Sequence, residues 1–243
     1  MANNLFKKSY LHNKFQRIPY DNLWNTKGVF TTIRVKDSLP KFIFLKEHLR
    51  NLNKSLKKLN INFVINSKHF KSLLKDKFKT NINYNHLLRI AINNKKISID
   101  LRKRMKPYKF LKGILVNYKR PNPAIKNLQY NKILEFLNSI NINSSEIILF
   151  KKNNILEGCT TNIICVKNNN LYLPKNDYYF GITLKFIIKF TKRKIFKKNI
   201  SLEKLKTFDE ILLVGSGKGV IALKNIPQIK WKNKNQIIYK ELQ

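Results

Sequence analysis

Short apolar runs rich in Ile, Val, Leu and Phe, broken by Asn- and Lys-rich turns, recur along this chain. Runs of that length and composition fold as strands rather than as long helices. The first well-patterned one is Gly28-Val-Phe-Thr-Thr-Ile-Arg-Val35, and Phe42–Leu45 reads as a short second strand after the turn Lys36–Pro40. Leu87–Ile92 and Ile97–Ile99 read as strands paired around Asn93-Asn94. Further strands fall at Gly113–Lys119, Glu146–Phe150, Thr161–Val166, Asn170–Leu173 and Glu210–Val214. Helices are fewer. Leu45, Leu49, Leu52, Leu56 and Leu59 recur at helical spacing, residues 67–80 read as a second helix, and Leu128, Ile133, Leu134 and Leu137 mark a third. A fourth opens at Gly181-Ile-Thr and runs to about residue 193.

With 243 residues the chain suits one large domain or two smaller ones. The basic, proline-containing stretch Arg102–Lys109 has no apolar periodicity and sets a boundary. The expected organisation is an α+β domain over 1–105 and a larger, strand-rich domain over 106–243, together of the α/β class.

Fifty Lys and Arg face 13 Asp and Glu, a net charge of +37. Only eight of the fifty are Arg, and Ala occurs four times. A Lys/Asn/Ile bias with few Ala, Gly and Arg is what an AT-rich genome writes into all its proteins, and that is the preferred reading. The other is an anionic partner. The lysines are spread from end to end instead of clustering, which disfavours nucleic acid. Cys159 and Cys165, taken as one extended segment, lie ~20 Å apart, too far for a disulfide. Free thiols suit a reducing compartment, with the cytoplasm as the expected location. No apolar run reaches the ~18 residues of a membrane helix. Residues 1–20 hold bases and no acid, so a basic organellar leader stays open.

The four His are scattered and neither Cys has a CxxC partner, so no metal site is expected. Gly215-Ser-Gly-Lys-Gly219 has neither dinucleotide nor Walker spacing; it is a tight turn, or a nest of N–H groups with the Ser216 hydroxyl suited to phosphate. Gly181-Ile182-Thr183 opens a helix whose free N–H groups and positive dipole end also suit an anion. Glu157 is the only carboxylate between Glu146 and Asp177, and it precedes a run of small residues. It reads as a surface turn residue or as a buried partner for a cationic ring nitrogen. Lys126 is one of 42 lysines, but it follows a proline-pinned bend and precedes Leu128 and Tyr130. Desolvated by such neighbours, a lysine becomes a useful nucleophile and base.

Taken in order, these pieces resemble the class IV (fold type IV) pyridoxal-phosphate enzymes, over about Gly28–Leu223. That family includes branched-chain and D-amino acid aminotransferases and 4-amino-4-deoxychorismate lyases. Gly28–Val35 resembles its opening strand, and Glu47-His48-Leu49 its first helix. Ile125-Lys126-Asn-Leu-Gln-Tyr130 resembles the Schiff-base lysine motif. Glu157-Gly-Cys-Thr-Thr-Asn162 is similar to the motif whose Glu pairs with the pyridine nitrogen. Gly181-Ile182-Thr183 and the loop at Ser216 resemble the two phosphate-binding segments. The resemblance implies a two-domain fold with pyridoxal phosphate in the cleft between the domains, and a homodimer. It assigns cofactor binding to Lys126, Glu157, Ile182, Thr183, Ser216 and Asn51, with Lys126 also catalytic. Thr31, Arg34 and Tyr130 would bind a small anionic substrate. Two departures stand out. Asn51 occupies the place of a phosphate-binding Arg, and Leu184 replaces Arg in Gly-Ile-Thr-Arg. Aminotransferases of this class commonly carry Glu after the Phe of the opening strand, whereas Phe30-Thr31-Thr32 resembles the lyases. The expected function is therefore release of pyruvate from 4-amino-4-deoxychorismate. The alternatives are transamination of a branched-chain or D-amino acid, or a non-catalytic basic RNA- or anion-binding protein on the same fold.

Overall fold

In the computed structural model of this protein, residues 4–79 and 82–243 are described. The chain divides into two compact units, residues 1–105 with 125–131, and residues 106–124 with 132–243.

The first unit is built on a six-stranded sheet in the order β2-β1-β6-β5-β3-β4, from β1 (Asn4–Leu11), β2 (Arg17–Ile18), β3 (Gly28–Asp37), β4 (Lys41–Phe42), β5 (Tyr84–Asn93) and β6 (Lys96–Lys103). Every pairing is antiparallel. Successive side chains of a strand alternate between faces. Val29, Ile33 and Val35 of β3 accordingly pack with Leu49, Leu52 and Leu56 of α1 (Leu45–Lys58) and with Phe70 and Leu73 of α2 (Ser67–Leu74). Burial of each such side chain contributes about 1.5–3 kcal/mol. The core thus lies between one face of the sheet and the leucine stripe read from the sequence.

The second unit carries a mixed nine-stranded sheet. Its strands are β7 (Phe110–Asn117), β8 (Ser145–Lys151), β9 (Asn154–Gly158), β10 (Asn162–Lys167), β11 (Asn170–Pro174), β12 (Ile195–Lys198), β13 (Glu210–Gly215), β14 (Gly219–Ile226) and β15 (Trp231–Lys232). The order is β12-β11-β10-β13-β14-β7-β8-β9, with β15 on β14. Parallel neighbours need crossovers. The helix α3 (Asn131–Asn138) lies between β7 and β8, and α4 (Ile182–Phe190) lies between β11 and β12. Two short helices follow, α5 (Leu202–Leu205) and α6 (Ile237–Glu241). The central strands are apolar on both faces. Ile163, Cys165, Ile211 and Leu213 join one cluster, and Ile164, Val166, Leu212 and Val214 join another that includes Leu184 of α4. Such double burial explains why these strands read as continuous apolar runs.

Several expectations change. Phe42–Leu45 is not a strand: β4 is two residues long, Phe44 turns to φ 55°, and Leu45 opens α1. The second helix stops at Leu74 instead of 80. Strand β1 was hidden because Lys7 and Lys8 break its alternation. Lys126 does not enter a helix. Its segment is extended and bridges β3 at Val29↔Asn127, and α3 starts only at Asn131. Glu157 lies inside a strand, β9, that pairs antiparallel with β8. Cys159 and Cys165 are both buried and free, but a turn between β9 and β10 separates them, so they do not share one extended segment.

Candidate active site

Within the first unit, the lysine segment is laid along β3. Phe30 N–H donates to the Lys126 carbonyl at 2.9 Å, Leu128 N–H to the Gly28 carbonyl at 2.9 Å, and Asn25 N–H to the Leu128 carbonyl at 2.9 Å. Gly28 is what permits this approach: a Cβ there would stand 2.4 Å from the Ile92 carbonyl oxygen and 2.7 Å from Leu128 Cδ1. Half-buried Lys126 holds its ammonium 4.9 Å from the Phe30 ring centroid. Phe30 packs edge-on to Trp24 and Tyr130, and Trp24 stacks on Tyr130 at 5.5 Å. Tyr130 is therefore part of the aromatic bed under Lys126. Behind Trp24, the Arg89 guanidinium lies 4.0 Å from its ring, and Arg89 Nη1 meets Asp100 Oδ2 at 3.0 Å, both side chains buried.

Strand alternation sorts the residues of β3. Thr31, expected at the substrate, lies on the core face at 4% exposure, and its hydroxyl is 2.7 Å from Nδ1 of buried His48 on α1. Thr32 and Arg34 share the other face with Phe30. Burial first, and the Lys126 ammonium second, hold the His48 imidazole down at about 3, so it is neutral at pH 7. Arg34 Nε is buried with no hydrogen-bond partner among the described residues. Burial lowers the Arg34 guanidinium, and burial together with the Arg34 charge lowers that of Arg104. Asn51 is half-buried on α1, where its carbonyl accepts from Ser55 Oγ at 2.9 Å.

Within the second unit, three segments singled out from the sequence meet at one end of the sheet. Strands β10 and β13 are antiparallel partners with Asn162 opposite Val214, so the turn before Asn162 and the turn after Gly215 leave the sheet together. Gly215 packs so closely that a Cβ would stand 3.1 Å from the Thr160 carbonyl oxygen. The third segment arrives by side-chain bonds. Tyr179 N–H donates to Glu157 Oε2 at 3.0 Å, and Gly181 N–H donates to Asn162 Oδ1 at 3.1 Å. Glu157 is 4% exposed, and its other oxygen accepts from Arg120 Nε at 2.6 Å. Arg120 Nη2 also bonds the Pro123 carbonyl at 3.1 Å, fixing the proline-pinned bend. Gly181 caps α4 without a side-chain bond to its first turn, which also contains no acid. The Ser216 loop is the tight turn of the β13–β14 hairpin, closed by Gly215↔Gly219 with Gly219 at φ +79°.

Arg120, the Thr31–His48 pair and the Trp24–Arg89–Asp100 stack are not legible in the sequence, although His48 belongs to the Glu47-His48-Leu49 motif. One signal was available for the arginines: in a chain with 42 lysines, each of the eight arginines is a departure from the bias. Leu184, which stands where the family writes Arg, is fully buried in the cluster with Ile164 and Val214, so this position belongs to the core. No group of three or more metal-ligating side chains occurs among the described residues. No helix among them is long and apolar enough to cross a membrane.

A buried carboxylate held by an arginine, an uncapped helix start and a glycine hairpin with a hydroxyl thus gather at one end of this sheet. Residues 28–226 match the amino-transferase class IV family. The chain belongs to that family, whose members are pyridoxal-phosphate-dependent enzymes, and it is an enzyme of that kind. Solved structures share its fold. A Legionella pneumophila protein provisionally described as a 4-amino-4-deoxychorismate lyase is 21% identical over 89% of each chain, with a TM-score of 0.75. The branched-chain aminotransferase of Thermoproteus uzoniensis, solved with norvaline, is 16% identical over 99% of this chain and 92% of its own, with a TM-score of 0.78. A hypothetical aminotransferase from Mycobacterium tuberculosis in PLP-bound form is 13% identical over 98% of this chain and 97% of its own, with a TM-score of 0.75. No curated protein matches the chain.

The residues present fit the cofactor. A carboxylate has about four lone-pair sites, and Arg120 and Tyr179 take one each, so Glu157 keeps acceptors for a ring N–H. The start of α4 and the Ser216 hairpin offer backbone N–H groups and a hydroxyl to a phosphate. Thr161 Oγ1 is buried with no partner among the described residues, a polar atom beside this cradle that its own fold does not use.

Proposed function

We propose that this protein is a lyase that releases pyruvate from 4-amino-4-deoxychorismate and leaves 4-aminobenzoate, a step of folate synthesis. The observation that carries the reading is the face of β3 on which Thr32 and Arg34 stand half-buried, while neutral Thr31 on the core face bonds neutral His48. Aminotransferases resembling this chain commonly place Glu at position 31. Thr31 brings no charge to this strand, and the half-buried Arg34 guanidinium on the opposite face would pair with a carboxylate of a dicarboxylic substrate.

When bound, pyridoxal phosphate supplies an electron sink. In this proposal Lys126 Nζ holds it covalently, Glu157 receives its ring nitrogen, and Ile182 N–H, Thr183 and the Ser216 hydroxyl hold its phosphate. Asn51 takes the place of a further phosphate ligand. Arg120 orients the Glu157 carboxylate, and the bed of Phe30, Tyr130 and Trp24 sets the direction of Lys126. Arg34 orients a substrate carboxylate. With the cofactor bound, Lys126 Nζ would be the group that removes the ring proton of the substrate and returns a proton to the departing enolpyruvyl carbon. Pyruvate leaves and the ring becomes aromatic. As in the family, the working form is a homodimer.

Pyruvate formed from 4-amino-4-deoxychorismate, read by coupling to lactate dehydrogenase, tests the proposal. Amino transfer to 2-oxoglutarate in its place would make the protein a transaminase. Neither activity, with salt-sensitive RNA binding, would leave a basic binding protein on this fold.

A further inference from the structure

Glu146 is fully buried in a chain with only 13 acids, and the proposed chemistry does not use it. It sits on β8 opposite Gly113, one strand from Glu157. Its carboxylate gathers two turns. From the turn after Glu157, Thr160 Oγ1 donates to Oε2 at 2.9 Å and Thr160 N–H approaches Oε1 at 3.4 Å. From the Ser216 hairpin, the Lys218 ammonium meets Oε2 at 2.8 Å with its side chain 14% exposed. Backbone packing between the same turns is tight as well, since a Cβ on Gly215 would stand 3.1 Å from the Thr160 carbonyl oxygen.

A buried carboxylate without a counter-charge is expensive, so Glu146 keeps Lys218 turned inward, and Lys218 in turn fixes the hairpin that carries Ser216. Thr160 shares the same oxygen, so any shift of one turn is felt by the other. We propose that Glu146 is a positioning residue that sets the spacing between the Glu157 turn and the Ser216 hairpin, and so matches the cradle to a phosphate carried at a fixed distance from a ring. The inference rests on the cofactor reading above and deepens it by assigning the phosphate selectivity of this site to a residue that does not touch the phosphate.

The test compares two probes on the apoprotein, pyridoxal phosphate and pyridoxal, which lacks the phosphate. Affinities are read by absorbance titration, with thermal melting of each apo variant as the control. Lys218→Met should weaken pyridoxal phosphate at least tenfold and pyridoxal less than threefold, because only the phosphate side of the spacing is released. Thr160→Val, at an exposed residue, should fold normally and lower the preference for pyridoxal phosphate over pyridoxal in the same direction by a smaller factor, because it releases the other end of the same tie. If Lys218→Met fails to fold because Glu146 is left bare, the paired change Glu146→Gln with Lys218→Met removes that charge and should show the same loss of phosphate preference. A merely structural tie would lower melting temperature and leave the ratio of the two affinities at the wild-type value, which would overturn the inference. Should the wild-type protein take up neither probe, the cofactor reading falls and this inference with it. Should the wild type bind and every folded variant bind equally well, only the inference falls.

Discussion

Replacing His48 with Gln should flatten the pH dependence of stability, and the size of the effect follows from the fold. His48 is 3% exposed, and burial together with the Lys126 ammonium depresses it from 6.5 to about 3. A histidine that binds its proton less readily folded than unfolded stabilises the fold above its unfolded value, and that stability is lost as pH falls. At pH 5 an unfolded imidazole is about 97% protonated and this folded one about 1%, so the linkage removes about 2 kcal/mol between pH 7.5 and pH 5. Glutamine keeps a hydrogen-bonding group toward the Thr31 hydroxyl and does not titrate. Urea unfolding at pH 7.5, 6 and 5 should therefore show the wild type losing about 2 kcal/mol more than His48→Gln over that range. Removing the ammonium with Lys126→Met should shrink the wild-type loss modestly, since burial is the larger cause. Parallel stability curves for wild type and His48→Gln would refute both the buried neutral imidazole and the Thr31–His48 pair as described.

Other outcomes are as direct. Borohydride treatment of the cofactor-loaded protein should fix the label on one peptide containing Lys126, and Lys126→Arg should abolish it by mass spectrometry. Arg120→Met should cost about 3–5 kcal/mol in denaturant unfolding because it strands the buried Glu157 carboxylate, whereas Arg193→Met, which breaks the more exposed pair with Glu241, should cost less than about 1 kcal/mol. Arg34→Lys should lower kcat/KM for the substrate, since a lysine offers a point charge where a guanidinium offers a fork. Changing Lys230, Lys232 and Lys234 together to Gln should leave kcat/KM unchanged at moderate salt; a tenfold loss there would reverse the genomic reading of the charge.

How far the molecule could be read from its sequence depended on how rare each residue type is in it. Acids are scarce, and Glu157 stood out for that reason. The same reasoning applied to all 13 acids would have reached the three others that are buried, Asp100, Glu146 and Glu210. Each holds something in place: Arg89 beside the aromatic bed, the two turns around the cradle, and the first N–H groups of α6 at 2.9 Å. Arginine is almost as scarce, and two of the eight, Arg89 and Arg120, meet buried carboxylates where an ammonium could not make the same forked contacts. Lysine is the opposite case. Lys126 was legible only through its apolar neighbours and its place in an ordered set of motifs. Lys218 could not be told from the other lysines until the fold carried it to Glu146. The strands show the same contrast. β10 and β13 are buried on both faces and read clearly, while β1 carries Lys at two of its eight positions and did not. A mutational drift that favours lysine thus hides function where the partner is an anion, and leaves it visible where the chain has kept an acid or an arginine against the drift.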